Sequence, residues 1–199
     1  MEKIILLSTV YLPPVYYIKQ ILEADSIIIE KHEHFIKQTY RNRCNIICSN
    51  GPITLSIPLV KQADKEIITE KRISYAENWQ QQHWRTLVSA YKNSPYFDYF
   101  EHEFKPFYEN KYEFLFDFNL ELFNTVLKII RVNKDMSFTE TYNQDPENTI
   151  DLRSLSNLKN NQQNTFTPYY QVFSDKLGFK ENLSCIDALF NVGLGIVKL

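Results

Sequence analysis

Apolar and polar positions change rhythm several times along the chain. Ile4 to Leu7 is an unbroken apolar run that Pro13-Pro14 stops. From Val15 the apolar residues Ile18, Ile21 and Leu22 return at helical spacing, and Ser26 to Ile29 runs apolar again. Strand, helix and strand of this length predict a parallel pair with a right-handed crossover. Parallel sheets place ligands beyond the carboxyl ends of their strands, here Thr9 to Pro14 and Glu30 to His34. Asn45 to Cys48 and Ile53 to Leu59 flank Asn50-Gly51, which predicts an antiparallel hairpin with a primed turn and therefore a mixed sheet. Lys61 to Lys71 is charged and reads as a loop leading into a short strand over Ile67 to Ile73.

The middle of the chain is helical. Trp79, His83, Leu87 and Ala90-Tyr91 form one stripe that Ser94-Pro95 ends. A second helix uses Phe97, Phe100 and Phe104 before Pro106 interrupts it, and a third spans about Asp117 to Arg131 on Phe118, Leu122, Val126, Ile129 and Ile130. Beyond Val132 the composition turns to Asn, Gln, Thr and Asp, with Phe138 to Tyr142 a short strand inside it. The stretch 143–167, and NLKNNQQNTF above all, reads as a mobile lid or a plain surface loop. Tyr169 to Phe173 is strand-like or a short helix. Ser184 then stands as an N-cap with Asp187 three residues on, where a carboxylate suits the positive helix end. The expected architecture is α/β in one domain over 1–199: a small mixed sheet opening with a βαβ unit and a hairpin, a helical middle and a returning C-terminal segment.

Composition narrows the function. Twenty-seven rings, 13 Tyr and 14 Phe, against four Gly imply an aromatic core and a ring-lined cleft. A net charge of −2 gives no general attraction to nucleic acid, so a basic site must be local and nucleic acid is not the expected partner. No apolar run approaches the ~20 residues a bilayer span needs. Glu2 spoils a basic leader, which places the chain in the cytoplasm without membrane insertion. Cys44, Cys48 and Cys185 are too sparse for a disulfide framework. With His32 and His34 the first two could be taken for zinc ligands, but the spacing lacks the paired pattern, so no metal is expected and the cysteines read as small buried hydrophobes.

The local basic site is Phe35 to Arg43, FIKQTYRNR. In an extended chain Arg41 and Arg43 would share a face and converge, with Lys37 nearby, on a carboxylate or phosphate. Asn42 would face the other way unless the chain turns. The plainer alternative is a solvated strand edge. His83 is either a core histidine or a general base in an aromatic cleft. No phosphate loop, dinucleotide fingerprint, nucleophile elbow or metal motif is present, so no cofactor is named.

Together these stretches resemble the WbqC-like family, whose members are associated with gene clusters for bacterial surface polysaccharide. The resemblance is carried by YLPPVYYIKQI (Tyr11 to Ile21), YRNRC (Tyr40 to Cys44) with its hairpin and SIPL (Ser56 to Leu59), HWR with SAYKNSPYF (His83 to Phe97), and YYQVF with GFKENLSCIDALFN (Tyr169 to Asn191). Asn42-Arg43 and Asn182-Leu183-Ser184 with Asp187 are its most diagnostic parts. Two departures stand out: no glutamine precedes the aromatic-proline segment, and Glu30-Lys31-His32 replaces paired aspartates.

The resemblance implies a transferase that moves an aminoacyl or acyl group to an amino sugar, acting on a sugar or nucleotide-sugar substrate in association with polysaccharide enzymes. In that reading His83 is the base, Lys37, Arg41 and Arg43 hold the anion, Tyr40 and Asn42 orient the substrate, and Tyr11, Tyr17 and Tyr91 stack on sugar or base. The alternatives are a non-catalytic binding protein assisting a polysaccharide enzyme, or a nucleotidyl-transfer enzyme. The opening unit is broadly similar to the latter class, although Val15 and Tyr16 stand where its histidines would be. Exposure of His83 in the same pocket as Arg43 would favour catalysis; a sealed His83 would favour binding.

Overall fold

The first apolar run forms β1 (Ile4–Ser8), and Pro13-Pro14 turns the chain into α1 (Val15–Glu23), which leads to β2 (Ser26–Glu30). The computed structural model describes residues 2–61, 66–158 and 167–199. β1 and β2 pair in parallel, with Ile5 opposite Ile27 and Leu7 opposite Ile29, all four buried. A continuous apolar run is what such a strand needs when both faces are covered. β5 (Asp135–Phe138) adds beside β2 and β6 (Ile150–Asp151) beside β1, both parallel, giving the order β5-β2-β1-β6. The chain extends to one side of β1 and then returns to the other. The order reverses at β1, where open α/β sheets form ligand crevices.

The hairpin of β3 (Arg43–Cys48) and β4 (Gly51–Ser56) pairs antiparallel around Asn50-Gly51, with Gly51 at a φ of 124°. It stands as a separate two-stranded sheet, so the expected mixture of strand directions is divided between two sheets. Three helices follow: α2 (Trp79–Tyr91), α3 (Phe97–Glu109) and α4 (Leu115–Ile129). α3 runs through Pro106 instead of stopping there. Pro106 lies on the exposed face while Phe104, Phe107 and Tyr108 are buried, so packing outweighs the missing backbone donor.

Three short elements differ from the sequence expectation. Ile67 to Ile73 is a 3-10 turn over Ile68–Glu70, because Ile68 donates to the Glu33 carbonyl (2.9 Å) and Phe35 to that of Glu66 (2.8 Å). β5 ends at Phe138, where a strand was expected to begin. Tyr169 to Phe173 is irregular and precedes the single turn α5 (Ser174–Leu177). Of the stretch expected as a loop or lid, 143–158 carries β6 and a 3-10 turn at Arg153–Ser156, whereas 159–166 lies outside the described residues, as does 62–65.

α6 (Cys185–Val192) closes the fold. Ser184 caps it, accepting the Ile186 N–H at 3.4 Å and donating to the Leu12 carbonyl at 2.9 Å. Backbone bonds from Ser184 to Asn45 (2.8 Å) and from Cys185 to Pro13 (2.7 Å) tie the hairpin to the loop after β1. One short segment thus joins both sheets.

Candidate ligand-binding cleft

The polar segment between β2 and β3 supplies the site, and a turn over Tyr40 to Asn42 decides which side chains reach it. Arg41 turns inward and is 2% exposed. Its Nε and Nη2 donate to the two Glu33 carboxylate oxygens at 2.9 and 2.6 Å, and Nη2 also donates to Ser8 Oγ at 3.0 Å. Ser8 Oγ in turn donates to Glu33 (3.0 Å), and Asn119 holds the Arg41 carbonyl (2.7 Å). Beside this pair, Arg153 donates to Glu30 (3.2 Å) and to Asp151. Burial alone would raise the Asp151 carboxyl, but the Arg153 hydrogen bonds hold it below its ordinary value. The protein's own charges therefore fill the carboxyl ends of β1 and β2, where the sequence pointed to a ligand.

Arg43 has the opposite fate. It opens β3 opposite Ser56 and lines a cleft of about 640 Å³ whose apolar wall includes Phe35, Ile57, Pro58 and Leu59. A volume of this size suits a small-molecule ligand. Among the described residues Arg43 makes no side-chain hydrogen bond or ion pair; its Nε is sealed without a partner, which leaves the terminal nitrogens as the open end. Asn42 lines the same wall, with Nδ2 donated to the Ile57 carbonyl (2.9 Å) and Oδ1 buried without a partner. Lys37, Lys61 and Lys71 bring the cations of the lining to four, against the one carboxylate of Glu66, among the described residues. Lys71 is held by Glu66 at 2.6 Å and by the Val60 carbonyl at 2.9 Å, above the Phe35 ring. The balance of the lining favours an anion.

The structure brings Lys37, Asn42 and Arg43 together and leaves the other sequence candidates elsewhere. Tyr40 is buried at the turn; its hydroxyl accepts from Asn45 (3.3 Å), and it borders a smaller groove of about 430 Å³ with Lys180 and Asn182. Tyr11, Tyr17 and Tyr91 are core residues. The Tyr11 hydroxyl shares hydrogen bonds with His83 Nδ1 (3.0 Å) and the Tyr108 hydroxyl (2.8 Å) in a buried chain, Tyr17 donates to the Ser8 carbonyl, and Tyr91 accepts from the Ile47 N–H (3.4 Å).

His83 is 6% exposed, edge-on to Trp79 at 5.1 Å and stacked on Tyr11 at 5.8 Å. Burial lowers its imidazole to about 4, against a hydrogen bond with the Ser56 backbone that works the other way. The ring is neutral at physiological pH. Ser56 lines the cleft, so His83 sits behind the wall and outside the space that Arg43 faces.

Sequence reasoning missed Lys61, Lys71 and the Ser56 to Leu59 wall as site residues, and Glu33 as the carboxylate that takes Arg41. Only the charge of Lys61 to Lys71 signalled the first two. Their approach to Arg43 depends on the 3-10 turn and on Val60 donating to the Arg72 carbonyl (3.0 Å), contacts that no local pattern encodes. The cysteines are free, and burial raises Cys44. Among the described residues no group of His, Cys, Asp or Glu is arranged to hold a metal, and no helix is long and apolar enough to cross a membrane.

A model of the WbqC-like protein family matches residues 9–165. The chain belongs to that family. The match includes every cleft residue named above and ends before α6, so the C-terminal motifs of the resemblance lie beyond the matched range. No curated protein and no solved structure matches the chain.

Proposed function

We propose that this WbqC-like protein acts in bacterial surface-polysaccharide biosynthesis by holding the anionic end of a sugar-linked substrate in the cleft. One observation carries the reading: among the described residues, an Arg43 guanidinium free of protein partners is set on a lining with more cations than carboxylates. The apolar wall from Phe35 to Leu59 suits the less polar face of a sugar or an attached group.

Two activities fit this cleft. Transfer of an aminoacyl or acyl group to an amino sugar needs a base for the attacking amine. His83 is placed poorly for that task, sealed and neutral behind Ser56, and Glu66 is already held by Lys71. The second activity is binding without chemistry, in support of a neighbouring polysaccharide enzyme, and the position of His83 favours it. Calorimetric titration with nucleotide sugars, coenzyme A thioesters, amino acids and plain nucleotides tests the binding claim. A sugar-linked anion binds, and plain amino acids and uncharged sugars do not. Incubation of the bound ligand with an amino-sugar acceptor, read by mass spectrometry, separates the activities: a mass gain on the acceptor establishes transfer, and unchanged masses leave the binding role.

A further inference from the structure

Among the described residues β5 is an edge of the sheet and its outer side carries no paired strand. Thr139 donates its N–H to the Ile29 carbonyl at 3.1 Å, and Ser137 lies opposite Ile28. In a parallel ladder this alternation turns the amide groups of Ser137 toward β2 and those of Met136 and Phe138 outward. Among the described residues no backbone group is bonded to that outer side. Met136 and Phe138 also share a side-chain face, and with Leu127 and Val132 they line a groove of about 630 Å³ beside the C-terminal end of α4. Phe138 is left 43% exposed.

The groove has one sign of charge. Lys128, Arg131 and Lys134 line it, and no carboxylate does among the described residues. Lys134 is committed to the Ala24 carbonyl at 2.5 Å. Lys128 has only a 3.5 Å contact to Glu103 and is 74% exposed, and Arg131 is exposed with no ion pair among the described residues. We propose that this edge accepts an extended acidic segment of a partner protein as a fifth strand. The segment pairs its backbone with Met136 and Phe138, sets alternate apolar side chains against Leu127, and presents carboxylates to Lys128 and Arg131. A second copy of the chain is disfavoured, because self-pairing would bring the same cations face to face.

The test uses the whole protein and two fluorescent peptides, each alternating valine and threonine and ending in three glutamates or in three lysines. Fluorescence anisotropy is expected to show binding of the glutamate peptide and at least a roughly tenfold weaker response to the lysine peptide. Lys128→Glu with Arg131→Glu reverses that preference. Met136→Pro removes one outward donor without touching the bonds to β2, and abolishes binding. Hydrogen exchange at Met136 and Phe138 slows when the glutamate peptide is bound. Equal binding of the two peptides, no binding of either, or indifference to the charge reversal would overturn the proposal. So would sedimentation showing self-association through this edge that Met136→Pro removes.

Discussion

Arg41 and Arg43 stand two positions apart and do opposite work. Alternation of side chains holds only inside a strand, and β3 begins at Arg43, so the turn over Tyr40 to Asn42 sends one guanidinium to Glu33 and the other to the cleft. The basic character of the segment was legible in the sequence; the turn was not, because no glycine or proline marks it. Replacing Arg41 by Ala leaves the Glu33 carboxylate buried and unpaired, and we expect urea unfolding to show a loss of about 3–5 kcal/mol. A loss under about 1 kcal/mol would show that water, and not Arg41, compensates Glu33. His83 carries a second prediction at this scale. Its folded-state value is lowered to about 4 from 6.5, so the fold requires the neutral ring. The stabilisation is full above about 6.5 and is lost as pH falls toward 4, by roughly 3 kcal/mol in all. Asp187 opposes it: burial pushes its carboxyl up to about 6, against hydrogen bonds from Tyr169, Tyr91 and Gln171, so its contribution falls as pH rises from 3.8 to 6. The His83 contribution is therefore read as the difference between wild type and His83→Gln in unfolding midpoints across pH 4 to 7. Parallel curves would contradict it.

At the scale of elements, local chemistry was most legible where a residue type forces the backbone. Asn50-Gly51 marked the hairpin, Pro13-Pro14 the start of α1, and Ser184 the cap of α6. Pro106 was misleading, since its cost is borne by the buried face of α3. The Ile67 to Ile73 turn was illegible because its bonds go to Glu33 and Phe35, more than thirty positions upstream. Ser184 does more than its cap position suggests. It holds α6 through the Ile186 N–H and fastens that helix to the Leu12 carbonyl across the two sheets. Ser184→Ala removes both bonds in a buried setting and is expected to cost about 1–2 kcal/mol in denaturant unfolding, more than an exposed cap of the same kind. An effect of only a few tenths would mean that the bond to Leu12 contributes nothing.

At the scale of the molecule, the sequence pointed to the carboxyl ends of the parallel strands as the place for a ligand. The structure fills those ends with Glu33–Arg41 and Glu30–Arg153 and opens its cleft farther along the same segment, against the hairpin and the 3-10 turn. The reason is the turn over Tyr40 to Asn42, which sends Arg41 inward to Glu33 while Lys37 before it and Arg43 after it line the cleft. The aromatic content, which suggested a ring-lined site, went mainly into the interior, where Tyr11, Trp79, Tyr108 and Phe118 contact one another around His83. A chain of net charge −2 thus keeps a basic cleft on one side. High salt should weaken ligand binding there, since the cleft is open and its attraction is screened over about 10 Å at 0.1 M. Binding that does not change between low and high salt would assign the affinity to the apolar wall.

The most direct measurement is a thermal-shift comparison of wild type and Arg43→Ala, with and without nucleotide sugars, coenzyme A thioesters and inorganic pyrophosphate. A ligand at about 100 times its dissociation constant stabilises the wild type by ~2.7 kcal/mol. We predict such a shift for a sugar-linked anion in the wild type and none in Arg43→Ala, with the melting temperature of the unliganded variant within a few degrees of wild type. An equal shift in both proteins, or collapse of the variant without ligand, would contradict the account and make Arg43 a structural residue.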